Sequence, residues 1–142
     1  MNLKDEEGST LLLTIFYGFL ALVLVLLVSA ATSLYLERKR LFTLADGAAL
    51  VGAESFDLDD VVRTPQGYRP TLTTAGVDAA ASQYVADNGR GFTDLTIERA
   101  ETVDGRSATV TLSAFWRPPL VSLLVPEGIP IEVTAVARSV FD

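Results

Sequence analysis

The residues able to do chemistry in this chain are few, and their spacing does not favour it. There is no histidine and no cysteine. The usual neutral-pH general base, thiolate catalysis and disulfides are therefore excluded together. The Ser and Thr hydroxyls have no imidazole to activate them, and the lysines are Lys4 and Lys39 alone. Glu98 and Glu101 are a carboxylate pair, but they fall in an alternating segment with no pocket implied around them. Asp57-Leu58-Asp59-Asp60 is rich enough in oxygen for calcium. It lacks the ligand spacing and the turn glycine of a calcium loop, and it reads as an acidic segment leaving a helix. No enzyme, cofactor, metal or small-molecule substrate is expected. The chain is expected to work through its surfaces.

The elements that would present those surfaces begin with a membrane segment. No charged residue stands between Gly8 and Glu37, and Leu11 to Leu36 is apolar or small on every helical face. That run exceeds the ~20 residues a bilayer core requires. It is too long for a secretory signal, and its start, MNLKDEEGS, is not basic, although Ser29-Ala30-Ala31-Thr32-Ser33 imitates a cleavage site. A retained anchor is expected. Tyr17 and Tyr35 lie about 27 Å apart along a helix, close to the spacing of two interfacial aromatic belts. What remains of the 142 residues suffices for one small head. From Leu41 onward 14 Asp and Glu stand against 7 Arg, so the whole net charge of −7 lies in that part. An acidic head has no electrostatic attraction for nucleic acid.

The helix does not stop at the membrane. Leu41, Leu44, Ala45, Ala48, Val51 and Gly52 recur at spacings of three and four, and no proline precedes Pro65. This is a helical packing stripe, rich in small residues that let another backbone come close. Its partner is either this chain's own sheet or a neighbouring subunit. The expected organisation is a tail over 1–8, a transmembrane helix over 9–37 and its amphipathic continuation over 38–56. A loop over 57–76 and a small head over 77–142 follow. Within the head, Val77 to Asn88 reads as a helix stopped by Gly89. Leu95 and Ile97 mark a strand, Asp104-Gly105 a turn, and Ala108 to Ala114 a returning strand ended by Arg117-Pro118-Pro119. Ile131 to Arg138 alternates as a third strand. The fold class is therefore α+β: a long N-terminal helix packed on a small antiparallel sheet, with one extra helix.

That architecture resembles the type IV pilins. The residues narrow the likeness: Glu7-Gly8-Ser9, then Ser33-Leu34-Tyr35-Leu36-Glu37-Arg38-Lys39-Arg40-Leu41, then Leu44-Ala45-Asp46-Gly47-Ala48-Ala49-Leu50-Val51-Gly52-Ala53. This pattern resembles the TadE/TadG-like group, minor pilin-like or assembly components of the Flp (tight adherence) pilus. The resemblance implies a single-pass anchor in the cell membrane with its head outside the cytoplasm, incorporated into a pilus or its assembly machinery. It also implies membrane lipid and other pilin-like subunits as partners. The basic collar Arg38-Lys39-Arg40 by itself would place the head in the cytoplasm, and the resemblance overrides it. Gly8 and Ser9 flank the candidate prepilin-processing bond, with Leu13 where type IV pilins carry a buried Glu. An alternative is an anchored envelope binding module unrelated to filaments. Phe92, Phe115, Trp116 and Phe141 are its aromatic candidates, although filling the sheet–helix core is the favoured role for them. Trp116, at a strand end, is the candidate surface contact.

Overall fold

The computed structural model describes residues 3–56, 61–65 and 67–139, with side chains from Gly8 onward apart from 61–64 and 68–70. The chain forms two compact units, one through Tyr35 and one from Leu36 onward. Helix α1, Leu3–Ala53, runs through both. It begins earlier than the sequence reading placed it. Asp5, Glu6 and Glu7 suit a helix N-terminus, where the macrodipole favours negative charge. It ends with a tightened turn: the amide of Glu54 donates to both Leu50 and Val51, and the hydroxyl of Ser55 donates to the Gly52 carbonyl at 2.6 Å.

The segment 57–76, read as a loop, instead contains a hairpin. Strands β1, Val61–Thr64, and β2, Gly67–Pro70, pair antiparallel. The β-branched run Val61-Val62 and Thr64 favours extended backbone, and Gly67 takes φ of 122° at the turn, a conformation other residues adopt at a cost. Helix α2, Thr74–Asn88, follows. Its N-cap is Thr73, whose side-chain oxygen accepts from the Gly76 amide at 3.1 Å, so the helix opens a turn before Val77. Val77, Ala81 and Val85 form its buried face.

Strands β3 (Thr93–Glu101), β4 (Ser107–Trp116) and β5 (Ile129–Arg138) make an antiparallel meander with β4 in the centre. The covered face of β4 carries Ala108, Val110, Leu112, Ala114 and Trp116, and that of β5 carries Ile131, Val133 and Ala135. The opposite face is mainly polar, with Phe115 and Val136 the exceptions, and is joined across the strands by the Thr111 and Thr134 hydroxyls at 2.9 Å. β3 departs from simple alternation. Its register against β4 slips between Thr93 and Thr96 and again between Ile97 and Arg99. Each slip is a bulge, and the second returns Ala100 to the covered face opposite Val110. This is why the sequence alternates from Leu95 to Ile97 and then loses phase. The fold is α+β, as expected.

Candidate functional site

Two surfaces of α1 carry the functional argument, one in each unit. In the first unit the apolar side chains from Leu11 to Val28 are almost all exposed, and so are both predicted belt residues, Tyr17 and Tyr35. The ring of Phe16 meets Tyr17 edge-on at 5.6 Å. The threonine hydroxyls are satisfied locally. Thr14 donates to the Thr10 carbonyl and Thr32 to the Val28 carbonyl, each at 2.9 Å. Back-bonding of this kind removes the cost of a hydroxyl in a medium without water. The helix is long and apolar enough to cross a membrane. The Gly8–Ser9 bond lies inside α1, past its first turn.

In the second unit the stripe turns inward. Leu41, Leu44, Ala45, Ala48 and Gly52 are buried and Val51 is half-buried, while Ala49 and Ala53 join them. The small residues are there because the neighbours are close. A Cβ on Gly52 would lie 3.1 Å from Val77 Cγ1 and 3.3 Å from Ala108 Cβ, so α1 touches α2 and β4 at one point. A Cβ on Gly47 would overlap the Tyr84 ring and hydroxyl. The stripe is thus covered by this chain's own α2 and sheet. Ala53, Leu72, Val77 and Ala108 close the far end of the core, with Phe56 and Ala137 against them. The large apolar residues left exposed on this part of α1 are Leu36, Phe42 and Leu50.

Trp116 is not a surface contact. It is 6% exposed, because β4 continues as far as Trp116, paired with Ile129, and the alternation from Ala108 delivers it to the covered face. Phe92 and Phe115 are partly covered, each under a guanidinium: Arg40 lies 5.3 Å from the Phe92 ring and Arg117 5.9 Å from that of Phe115. Phe141 and Asp57 to Asp60 lie outside the described residues. Glu98 and Glu101 are engaged on the sheet surface, Glu98 accepting from the Ser113 hydroxyl and Glu101 facing Arg99 at 3.6 Å. Among the described residues no three His, Cys, Asp or Glu side chains group as metal ligands do.

Two features escaped the sequence reading. The Arg117 guanidinium pairs with Asp94 at 2.8 Å and donates to the Glu127 carbonyl at 3.0 Å, fastening the β4–β5 connection to the start of β3. Asp94 itself has φ of 50°, at the first bulge. The second is how the β3–β4 turn, itself expected at Asp104-Gly105, is held together. There Asp104 Oδ1 accepts from the amides of Arg106 and Ser107, and the Ser107 hydroxyl donates to Oδ2. These backbone amides hold the Asp104 carboxyl down from its ordinary 3.8 to about 2.

Residues 8–55 match the family model described as Tad, putative Flp pilus-assembly TadE/G-like. Over these residues the chain is similar to the TadE/G-like family. The TadE/G-like segment coincides with nearly all of α1 past its first turn, so it includes both the exposed apolar part and the buried stripe. The resemblance read from the residues is borne out over it, and it supports involvement in Flp pilus assembly. No curated protein matches the chain, and no solved structure does.

Proposed function

We propose that this chain is a membrane-anchored, pilin-like structural component of a Flp-type pilus, a minor pilin or an assembly factor, with its folded unit outside the cytoplasm. One observation carries the reading: within the TadE/G-like segment, a single helix changes from apolar on all sides to buried on one side only. The upper stripe is satisfied by this chain's own sheet, so the helix is fixed to a folded head. The lower part has no such cover and needs lipid, or sister helices once it leaves the lipid. A fibre core supplies sister helices. The role is structural rather than catalytic, and its partners are membrane lipid and other pilus components.

Deleting the gene tests this. Filament number or length should fall, and the protein should co-purify with sheared filaments or with a membrane-bound pilus complex. Unchanged filaments would sink the proposal. Protease shaving of intact cells tests orientation, since a head outside the cytoplasm is lost from such cells and one inside is protected.

A further inference from the structure

The β4–β5 connection, residues 117–128, is an exposed apolar loop. Leu123 is 79% and Leu124 86% exposed, and Leu120 is exposed as well. It is nonetheless a built turn. Ser122 donates its amide to Pro118, Val125 donates to Val121 at 2.7 Å, and the Ser122 hydroxyl donates to Pro119. No charged residue stands from Pro118 to Pro126. Leucines held out from an ordered turn mark a surface that meets something apolar.

The position of the loop within the unit from Leu36 onward indicates what it meets. It leaves the end of β4, beyond Phe115, and Phe115 pairs with Thr93 at the start of β3. The neighbouring Phe92 lies under Arg40. The loop and the Leu36–Arg40 turn of α1 therefore share one end of the sheet. Ala53, Ala108 and the β3–β4 turn occupy the other. Arg40 is only about 6 Å along the helix from Leu36, the last residue of the uncharged run. Arg38, Lys39 and Arg40 are exposed at this end, suited to lipid phosphates. The acids Glu37 and Asp94 are each paired with an arginine, Arg40 and Arg117. Glu127 follows Pro126, is exposed, and accepts from Arg117 through its backbone carbonyl.

We infer that Leu120, Leu123 and Leu124 form a second, shallow membrane contact that dips into the lipid interface. The inference rests on the anchor reading above. Such a contact adds a second attachment point to the head.

The absence of cysteine makes the test clean. The full chain is reconstituted in phosphatidylethanolamine–phosphatidylglycerol vesicles with one environment-sensitive fluorophore on Leu124→Cys, Val103→Cys or Val25→Cys. Lipids carry a nitroxide either near the headgroup or near the chain end. The Leu124→Cys label should be quenched, more strongly by the shallow nitroxide than by the deep one. The Val103→Cys label, on the opposite turn and 87% exposed, should be quenched by neither, and the Val25→Cys label most by the deep one. If Val25→Cys is quenched and Leu124→Cys is not, the anchor stands and the loop contact is wrong. If neither is quenched, the anchor reading fails and takes the loop contact with it. A Leu124→Cys label that shifts to the blue only as protein density rises, without lipid quenching, means that another copy covers the loop, which also overturns the inference.

Discussion

At the scale of single residues, Asp104 and Gly47 show how local chemistry sets the head's tolerance. The Asp104 carboxylate gathers two backbone amides at the β3–β4 turn, and Gly105 beside it takes φ of 68°. Its carboxyl is lowered to about 2 when folded, so the folded state prefers the ionised form. The stabilisation is then complete above the ordinary value of 3.8 and is lost as pH falls through about 2. Asp104→Asn should lower stability at neutral pH and flatten the loss between about pH 4 and 2. Denaturant midpoints of the full chain in detergent, taken as wild type minus variant at each pH, isolate this group from the other carboxylates. A difference that does not shrink toward pH 2 would remove the turn from the account. Gly47 poses a question of competing magnitudes. Replacing glycine by alanine inside a helix gains about 1 kcal/mol from propensity. Here the new methyl meets the Tyr84 ring, and overpacking costs about 1–3 kcal/mol. Gly47→Ala should therefore destabilise by up to about 2 kcal/mol, and should stabilise by about 1 kcal/mol when Tyr84→Ala has cleared the space. A double-mutant cycle reads that reversal of sign, and additive effects would mean that the two residues do not touch.

At the scale of elements, β4 decides how the sheet is covered, and Trp116 is its heaviest inward residue. Trp116→Ala should cost about 3–5 kcal/mol, as large aromatic truncations in cores do. Phe115→Ala, on the other face and partly exposed, should cost much less. Thermal unfolding of both variants checks this, and the reverse order would restore Trp116 as a surface contact. The elements also divide by what the sequence could disclose. The stripe from Leu41 to Gly52 was legible because burial of one helix face imposes a three-and-four spacing, although that spacing does not say what covers the face. β4 and β5 were legible because one of their faces is covered along most of its length. β3 was legible only in its first half, since each bulge shifts the phase of an alternation that periodicity assumes to be constant. The hairpin of β1 and β2 was missed because its strands, Val61–Thr64 and Gly67–Pro70, are too short for an alternation to be read. The amino-terminal cap at Thr73 was present in the sequence as Thr-Thr-Ala-Gly, but no apolar position marked the turn that it opens. Trp116 was undecided because a strand-end residue looks the same in sequence whether the last pair of the ladder forms or not. The pair with Ile129 forms. The exposure of Leu123 and Leu124 was illegible for the opposite reason: an apolar run next to a strand ordinarily signals burial.

At the scale of the whole molecule, the chain divides near Tyr35 and Leu36 into two compact units. The part before the division has its apolar side chains outward, and the part after it has a closed core with its buried side-chain polar atoms partnered among the described residues. The two should therefore fail independently. Val25 is exposed near the middle of the uncharged run. An arginine there would sit near the bilayer centre at a cost of about 2.5–3.5 kcal/mol on insertion scales. Because the native segment is far more apolar than insertion requires, one such substitution should reduce membrane retention in a carbonate wash without abolishing it. Val25→Arg combined with Leu22→Arg should release most of the protein. Throughout the series the buried Trp116 should report an unchanged fluorescence maximum and unfolding midpoint, since neither substituted residue belongs to the head's core. If the head unfolds together with the loss of membrane retention, the lower helix is required for folding the head. Anchor and head would then be one cooperative structure, and a subunit could not pass from lipid to fibre with its head already formed. If the head stays intact while retention falls, the passage that the proposed pilin-like role demands is physically open, because the helix can exchange lipid for sister helices without disturbing the head.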